Sequence, residues 1–149
     1  VCSSDLDQGL GDLFVIRVAG NIVAPSQVGS VEFAVERLHV PLVVIMGHAQ
    51  CGAIEAAIES ATSSGGAPSR NLLSIVERIR PSIQVLLETD LAQQPAELRR
   101  KAVRANVRSS VNHLIHGSAM LEEKIFRKEL FVTGAEYILE TGEVNFLES

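Results

Sequence analysis

The stretch PLVVIMGHAQCG, residues 41–52, decides the fold of this chain. It begins with an unbroken apolar run, residues 42–46, and a short β-branched run without polar alternation is typical of a strand buried on both faces, as in a parallel sheet. The run ends at Gly47, and His48 and Cys51 follow before a helical pattern begins. Open parallel sheets hold their sites just past the carboxyl ends of their strands. The sequence therefore predicts a functional site at His48 and Cys51.

The H-x-x-C pair formed by His48 and Cys51 supplies imidazole and thiolate, the two ligand types that zinc favours most. One such pair is a weak signal on its own, because a buried cysteine is commonly only a small apolar residue. Three features strengthen the metal hypothesis. The pair follows a buried strand, glycines on either side let the chain turn tightly, and Cys51 lies at a helix N-terminus, where the helix dipole favours a thiolate.

Length and composition limit the kind of protein this is. A chain of 149 residues fits one domain, and with 46% hydrophobic but only 4% aromatic residues its core is mostly aliphatic. The net charge of −5 argues against broad nucleic-acid binding, which usually shows as a basic surface. Two cysteines, Cys2 and Cys51, indicate no disulfide framework. No segment approaches the ~18 apolar residues of a membrane helix, and with no visible signal peptide we expect a cytoplasmic protein without a membrane partner.

Strands that alternate with helices predict an α/β fold, a mostly parallel β-sheet with helices on its faces. Residues 13–19 form a second nearly all-apolar run that predicts a strand, and residues 130–139 predict a long one. A turn at 140–143 then returns the chain as a short antiparallel edge strand, 144–147. Residues 63–69 are expected to form a loop. Helices are predicted at about 27–39, 52–60, 72–79, 83–87, 96–116 and 118–128, with Pro81 breaking or kinking the chain between the third and the fourth.

Two polar groups on the predicted 96–116 helix are interpreted as surface. A basic run is interpreted as a solvated helix face paired with nearby acids rather than as a nucleic-acid patch. His113 and His116 share a helix face at i, i+3, where they could chelate a metal, but exposed surface histidines are the preferred interpretation. The basic run consists of Arg99, Arg100, Lys101, Arg104 and Arg108.

Three segments of the chain, 7–23, 29–57 and 130–147, contain a glycine-rich turn, the GNIV segment and the G-H-x-x-C-G site. Together they resemble the β class of carbonic anhydrases. The resemblance couples a glycine-rich turn, the GNIV segment and the G-H-x-x-C-G site in the family's order. It implies one Zn²⁺ per subunit held through Cys, His and Cys, with His48 and Cys51 matching the H-x-x-C pair. It also implies a lyase that reversibly hydrates CO2 to bicarbonate, using a zinc-bound water acidified toward a pKa of ~7. The segments are DQGLGDLFVIRVAGNIV (7–23), GSVEFAVERLHVPLVVIMGHAQCGAIEAA (29–57) and LFVTGAEYILETGEVNFL (130–147).

The resemblance further implies a substrate pocket and an assembly. An apolar pocket holds the uncharged substrate in this family, and by alignment Phe14, Phe33 and Gly52 line it here. Family members are homodimers or higher oligomers, with the pocket at the subunit interface. We therefore expect CO2, bicarbonate and further copies of this chain as partners.

The sequence departs from the family at its start. The family's first zinc cysteine belongs to a C-x-D-S-R motif, whose aspartate, paired with the arginine, governs access to the metal's fourth position. That motif is absent here, so no catalytic residue is assigned. Cys2 is retained only as a candidate third ligand, because its spacing from Asp7 and the residues after it do not match. No apolar strand precedes Asp7 either, whereas in the family that strand lies between the ones matched by 13–19 and 42–46.

Our hypothesis is an N-terminally truncated β-class carbonic anhydrase, with residues 1–6 foreign and 7–149 an incomplete domain. VCSSDL can be encoded by a sequence that resembles the end of a common sequencing adaptor. Natural divergence, with Cys2 as a displaced ligand, stays open as the alternative. Loss of a central strand predicts that the chain alone folds poorly, re-pairs its strands or swaps with a partner. Two other functions also stay open, a non-catalytic relative acting as a binding or dimerisation module and a zinc enzyme for a CO2-like substrate such as CS2.

Overall fold

The computed structural model describes residues 8–62 and 69–148 of the chain. Cys2, the other residues of 1–6 and most of the predicted 63–69 loop lie outside the described residues. No helix in the described part is long and apolar enough to cross a membrane. The elements are α1 (Pro25–Arg37), β1 (Leu42–His48), α2 (Gly52–Thr62), α3 (Arg70–Leu87), α4 (Pro95–His116), α5 (Ala119–Phe126), β2 (Phe131–Tyr137) and β3 (Val144–Leu147).

The three strands form one mixed sheet in the order β1-β2-β3. Strands β1 and β2 run parallel, with Leu42 opposite Phe131 and His48 opposite Tyr137. Strand β3 pairs antiparallel with β2, after the turn that the sequence predicts at 140–143. This α/β architecture, with helical cover and a C-terminal antiparallel hairpin, confirms the predicted fold class.

Two apolar clusters hold the helices and the sheet together. The first lies between α2, α3 and α4 and contains Ile54, Ile79 and Val103, together with Cys51. The second lies between the sheet and helices α1, α4 and α5, and is centred on Val31, Val35, Leu114, Leu121 and Leu130. Helix α4 contributes to both clusters, so it ties the helical layer around Cys51 to the sheet.

Helix α4 approaches the sheet closely because two glycines face it. A Cβ added at Gly47 would lie 2.6 Å from Val107 Cγ2 and 3.2 Å from Val103 Cγ1. A Cβ added at Gly134 on β2 would lie 2.7 Å from Val107 Cγ1. The Val107 side chain therefore occupies space that any larger residue at these two strand positions would fill. This contact fixes the height of α4 above Gly47, the residue that precedes His48.

The prediction that β1 is buried on both faces is wrong. Only Gly47 of this strand is buried, and Leu42 is 47% exposed. Val43 and Ile45 face the second cluster, whereas Leu42 lies on the opposite face with Phe131 and Phe146, which are both 63% exposed. An unbroken apolar run reports that both faces avoid polar residues. It does not report which face the rest of the chain covers.

The predicted strand at 13–19 is also wrong. Residues 13–18 carry no regular structure and lead into a 3-10 turn, Ala19–Asn21. Phe14 and Val15 in this run are 45% and 49% exposed. Within the described residues, β1 pairs only with β2. The physical reason is that an extended run becomes a strand only where a neighbouring strand accepts its hydrogen bonds.

Helix α3 continues through Pro81, so the predicted break between 79 and 83 is wrong. A proline inside a helix costs about 3 kcal/mol or more. Ile79 and Ile83 flank it and are both fully buried in the first cluster, and burying two such side chains stabilises the helix by a comparable amount. Ser118 caps α5, since Ser118 Oγ accepts a hydrogen bond from Leu121 N.

Candidate metal centre

His48 closes β1 and presents one defined face of its ring. Its Nδ1 lies 2.8 Å from the backbone carbonyl oxygen of Ala49. A carbonyl oxygen only accepts hydrogen bonds, so Nδ1 carries the proton and donates. The lone pair of the neutral ring then lies on Nε2, and a hydrogen bond of this kind at the second nitrogen is what orients a metal-binding histidine. The structure therefore leaves Nε2 of His48 ready to bind a metal ion.

The turn between His48 and Cys51 is held in an unusual backbone conformation. Gln50 adopts a φ of 56°, in the left-handed region that residues with a side chain rarely occupy. Two contacts fasten this turn to the end of β2. Ala49 N donates to Tyr137 O at 3.4 Å, and Gln50 Nε2 donates to Glu140 Oε1 at 3.2 Å. Cys51 directly follows this turn and precedes the first residue of α2.

Cys51 is a free cysteine, 6% exposed, at the start of α2. Its carbonyl oxygen accepts hydrogen bonds from Ile54 N at 3.0 Å and Glu55 N at 3.1 Å, so Cys51 is the N-cap residue of this helix. Unpaired N–H groups and the positive end of the helix dipole stabilise negative charge at such a position. A sulfur placed there is suited to act as an anionic ligand.

The described residues supply two metal donors and no third. No group of three or more His, Cys, Asp or Glu in the described part of the chain could hold a metal ion. Cys2, the candidate third ligand, lies outside the described residues. The donors that are described fit zinc in chemical type, one imidazole and one thiolate.

The structure brings together two of the three predicted pocket residues. The rings of Phe14 and Phe33 have centroids 6.4 Å apart and planes tilted by 38°. Both side chains are about half exposed, so they form an open apolar surface rather than a closed pocket. Gly52 is exposed at the first position of α2, and among the described residues no atom lies within 4 Å of an added Cβ. The role of all three in substrate binding stays a prediction.

The predicted surface groups on α4 lie where the sequence placed them. His113 and His116 are exposed, and His116 Nδ1 lies 3.0 Å from Glu122 Oε1. Four of the five residues of the basic run are paired with acids, as predicted, through Arg99–Glu55, Arg100–Glu97, Lys101–Glu97 and Arg104–Glu136. Arg100 holds the pKa of the exposed Glu97 carboxyl below its usual value through a hydrogen bond.

Sequence reasoning missed the buried polar groups behind the site. Glu136 is 2% exposed, stands opposite Gly47 in the sheet, and accepts a 2.7 Å hydrogen bond from Arg104 Nε. Asn106 is equally buried and donates from Nδ2 to the Gly20 carbonyl oxygen at 2.7 Å. One signal was available for the first, since Glu136 is the only charged residue in an apolar strand pattern. No local pattern marks Asn106.

Comparison with known proteins adds the family to this geometry. The family model for carbonic anhydrase matches residues 2–144, nearly the whole chain. The chain belongs to the carbonic anhydrase family. It is 37% identical over 136 residues to carbonic anhydrase 2 of Mycobacterium tuberculosis, covering 91% of this chain and 63% of that protein. It is 51% identical over 77 residues to a carbonic anhydrase of Mycolicibacterium smegmatis, covering 52% of this chain and 37% of that protein.

Solved structures place this carbonic anhydrase in the β class. The β-carbonic anhydrase CafA of Aspergillus fumigatus is 28% identical, with a TM-score of 0.72 over 98% of this chain and 68% of that one. A tetrameric β-carbonic anhydrase of Sordaria macrospora shares the fold, with 23% identity and a TM-score of 0.84 over 99% of this chain and 74% of that one. The chain spans 63% of the length of the Mycobacterium tuberculosis relative.

Proposed function

We propose that this protein is a zinc enzyme that reversibly hydrates CO2 to bicarbonate and a proton. One observation carries the proposal. In a member of the carbonic anhydrase family, His48 keeps its Nε2 lone pair at the carboxyl end of β1, three residues before a buried cysteine that caps α2. Imidazole and thiolate are ligand types that a catalytic zinc uses. The carboxyl end of a parallel strand is the place where such a site is expected.

The residues of this chain have distinct parts in such a site. His48 Nε2 and Cys51 Sγ would hold the ion, and Cys2 is the candidate third ligand. A zinc ion with an open position supplies a water acidified toward neutral pH, which can attack CO2. The carbonyl of Ala49 keeps the His48 ring in the metal-binding tautomer. The N-terminus of α2 stabilises the charge on Cys51, and the first apolar cluster shields its sulfur from water.

The exposed apolar side chains support a substrate surface and an assembly. CO2 is uncharged, so the apolar rings of Phe14 and Phe33 suit it. The side chains of Leu42, Phe131 and Phe146 are exposed on one face of the sheet. Exposed apolar patches of this kind often mark protein interfaces. We propose a homodimer or higher homo-oligomer in which a second copy covers these residues. The Sordaria macrospora relative is tetrameric, in line with this proposal.

The experiment that tests the function measures zinc content and the rate of CO2 hydration in the product of the gene that encodes this chain. We expect stoichiometric zinc and a hydration rate well above the uncatalysed one. Cys51→Ala is expected to abolish both. The matched control is His113→Ala, which removes an exposed imidazole from α4 and should leave both unchanged. Full activity without bound metal would contradict the proposal.

A non-catalytic relative that serves as a binding module is the second candidate. The observation in its favour is that the described residues contain only two of the three ligands a zinc site needs. This candidate predicts a folded oligomer with no hydration activity, and Cys51→Ala should leave its assembly intact. Measuring the oligomeric state beside activity, in the same two variants, separates the two functions.

A further inference from the structure

The turn Ala19–Asn21 contacts both segments that carry the metal donors. The Cα of Gly20 faces α2 so closely that an added Cβ would lie 3.1 Å from Ala53 Cβ. Asn21 Oδ1 would lie 3.4 Å from a Cβ added at Gly47. Ala53 is two residues after Cys51, and Gly47 directly precedes His48. The turn therefore lies between the end of β1 and the start of α2, and its position limits how far apart the two donors stand.

This turn does not hold its shape by local structure alone. Gly20 and Asn21 adopt φ values of 67° and 42°, two successive residues in the left-handed region. Across the turn, Asn21 N donates a backbone hydrogen bond to Val18 O at 3.2 Å. A left-handed residue with a side chain is unfavourable, so such a conformation persists only where the surroundings fix it.

Helix α4 provides the contacts that fix it. Asn106 Nδ2 donates to the Gly20 carbonyl oxygen at 2.7 Å, and the Asn106 side chain is 2% exposed. One helical turn further on, Ser110 Oγ accepts from Asn21 Nδ2 at 3.3 Å. Burying an amide side chain is costly unless it is hydrogen-bonded. The bond from Asn106 is the shorter of the two and lies on the carbonyl between the two left-handed residues.

We propose that Asn106 is a positioning residue for the metal centre, and that it sets the geometry between His48 and Cys51 by holding the Gly20 carbonyl. This inference rests on the proposed metal-dependent function. Asn106 is linked to each metal donor through two contacts, of which the first is its hydrogen bond to the turn. On one side Asn21 lies against Gly47, which directly precedes His48. On the other side Gly20 lies against Ala53, two residues after Cys51. Ile22, the next residue, packs in the same buried cluster as Cys51.

The first test replaces Asn106 and reads the metal centre by spectroscopy. Asn106→Leu keeps the branched shape of the side chain but removes the donor, so the Gly20 carbonyl loses its partner. Co²⁺ is used as the probe, and its dissociation constant and its thiolate-to-cobalt absorption band are measured. We expect Asn106→Leu to weaken Co²⁺ binding by roughly 10–100-fold, the usual effect of losing a group that orients metal ligands, and to shift the band.

The matched control is Leu114→Ala, which removes a buried side chain of the same helix from the other apolar cluster. It should lower the unfolding temperature while leaving Co²⁺ affinity and the absorption band of the folded protein unchanged. A merely structural Asn106 would behave in the same way as this control. Equal affinity and an identical band in Asn106→Leu and the unsubstituted protein would overturn the inference.

A second readout needs neither metal nor activity, and so separates this inference from the proposed function. The rate at which iodoacetamide alkylates Cys51 in the native protein is followed by peptide mass spectrometry, which distinguishes it from Cys2. We expect Asn106→Leu to raise this rate roughly tenfold above that of Leu114→Ala, because an unpaired buried carbonyl favours local opening of the turn. If the unsubstituted protein binds Co²⁺ but does not hydrate CO2, the proposed function fails while the inference stands. Equal rates in the two variants would overturn the inference whatever the enzyme does.

Discussion

Two apolar runs of similar composition, residues 13–18 and residues 42–48, have different structures in this protein. The second is strand β1, paired in parallel with β2 along its length. The first has no regular structure, although both consist mostly of aliphatic and β-branched residues. The two runs therefore have a similar intrinsic β-propensity, and they differ in whether a neighbouring strand pairs with them. An apolar run becomes a strand in this chain where a neighbouring strand and a covering helix are both present.

The pairing direction of β1 makes this comparison testable at single residues. Phe131 N donates to Pro41 O, and Ala49 N donates to Tyr137 O. In a parallel pair, alternate residues of a strand bond the same neighbour. The odd-numbered residues of β1 therefore direct their N–H groups toward β2. Equivalent substitutions in 13–18 remove no ladder hydrogen bond. They therefore serve as matched controls for the substitutions in β1.

The largest expected effect is that of proline. Ile45→Pro removes an N–H directed toward β2 and should cost at least about 3 kcal/mol of the free energy of unfolding. Ile16→Pro, in the run without regular structure, should cost less than about 1 kcal/mol. Urea denaturation followed by circular dichroism measures both. Equal losses would show that 13–18 is paired in solution and would break the comparison.

Closing the space between β1 and α4 should have the next largest effect. A Cβ at Gly47 would lie 2.6 Å from Val107 Cγ2, so Gly47→Ala is expected to destabilise the protein by about 1–3 kcal/mol. Gly29→Ala in α1 is the control, because no atom lies within 4 Å of its added Cβ. It should stabilise the helix by up to about 1 kcal/mol. Unfolding curves of the two variants should therefore shift in opposite directions.

Replacing a valine by threonine in each run should change stability by a smaller amount than the substitutions above. Val43 packs against the second apolar cluster, so Val43→Thr should cost about 1–2 kcal/mol through the burial of a polar group. Val15 is 49% exposed, and Val15→Thr should change stability by less than about 0.5 kcal/mol. Thermal unfolding of the pair provides the measurement. A loss in Val15→Thr as large as that in Val43→Thr would mean that 13–18 is buried in solution, for instance in an oligomer.

The smallest expected effect lies outside both runs, at Glu97 on α4. Arg100 holds the pKa of the Glu97 carboxyl below its usual value, so the ion pair stabilises the protein above the unfolded-state pKa and is lost as pH falls through the folded one. Because the pair is solvent-exposed, Glu97→Gln should reduce stability only slightly at neutral pH and not at all in acid. Stability measured against pH checks this sign. A difference that grows in acid would contradict it.

Local sequence patterns predicted most of the helices and strands. The periodicity of α1, α2 and α4, the apolar run of β1 and the hairpin turn before β3 are all local signals, and the structure confirms them. The candidate site followed from the same patterns, because His48 and Cys51 come directly after a strand and directly before a helix. The strand at 13–19 could not be predicted correctly, because its structure depends on a neighbour and not on its own residues.

The buried polar contacts behind the site were equally out of reach. The bond from Asn106 to Gly20 joins residues 86 positions apart, and no spacing rule connects them. The left-handed backbone of Gln50 was also missed, because glutamine rarely adopts it and its hydrogen bond to Glu140 joins residues 90 positions apart. Sequence reasoning predicted candidate metal ligands, but it did not predict the buried contacts around them.

X-ray absorption at the zinc edge tests the central claim most directly, that His48 and Cys51 hold a zinc ion at the end of β1. The account predicts a four-coordinate zinc with sulfur at about 2.3 Å and imidazole nitrogen at about 2.0–2.1 Å. The nitrogen signal should weaken in His48→Ala, and the sulfur signal should weaken in Cys51→Ala. A metal-free protein that hydrates CO2, or a zinc surrounded only by oxygen, would contradict it.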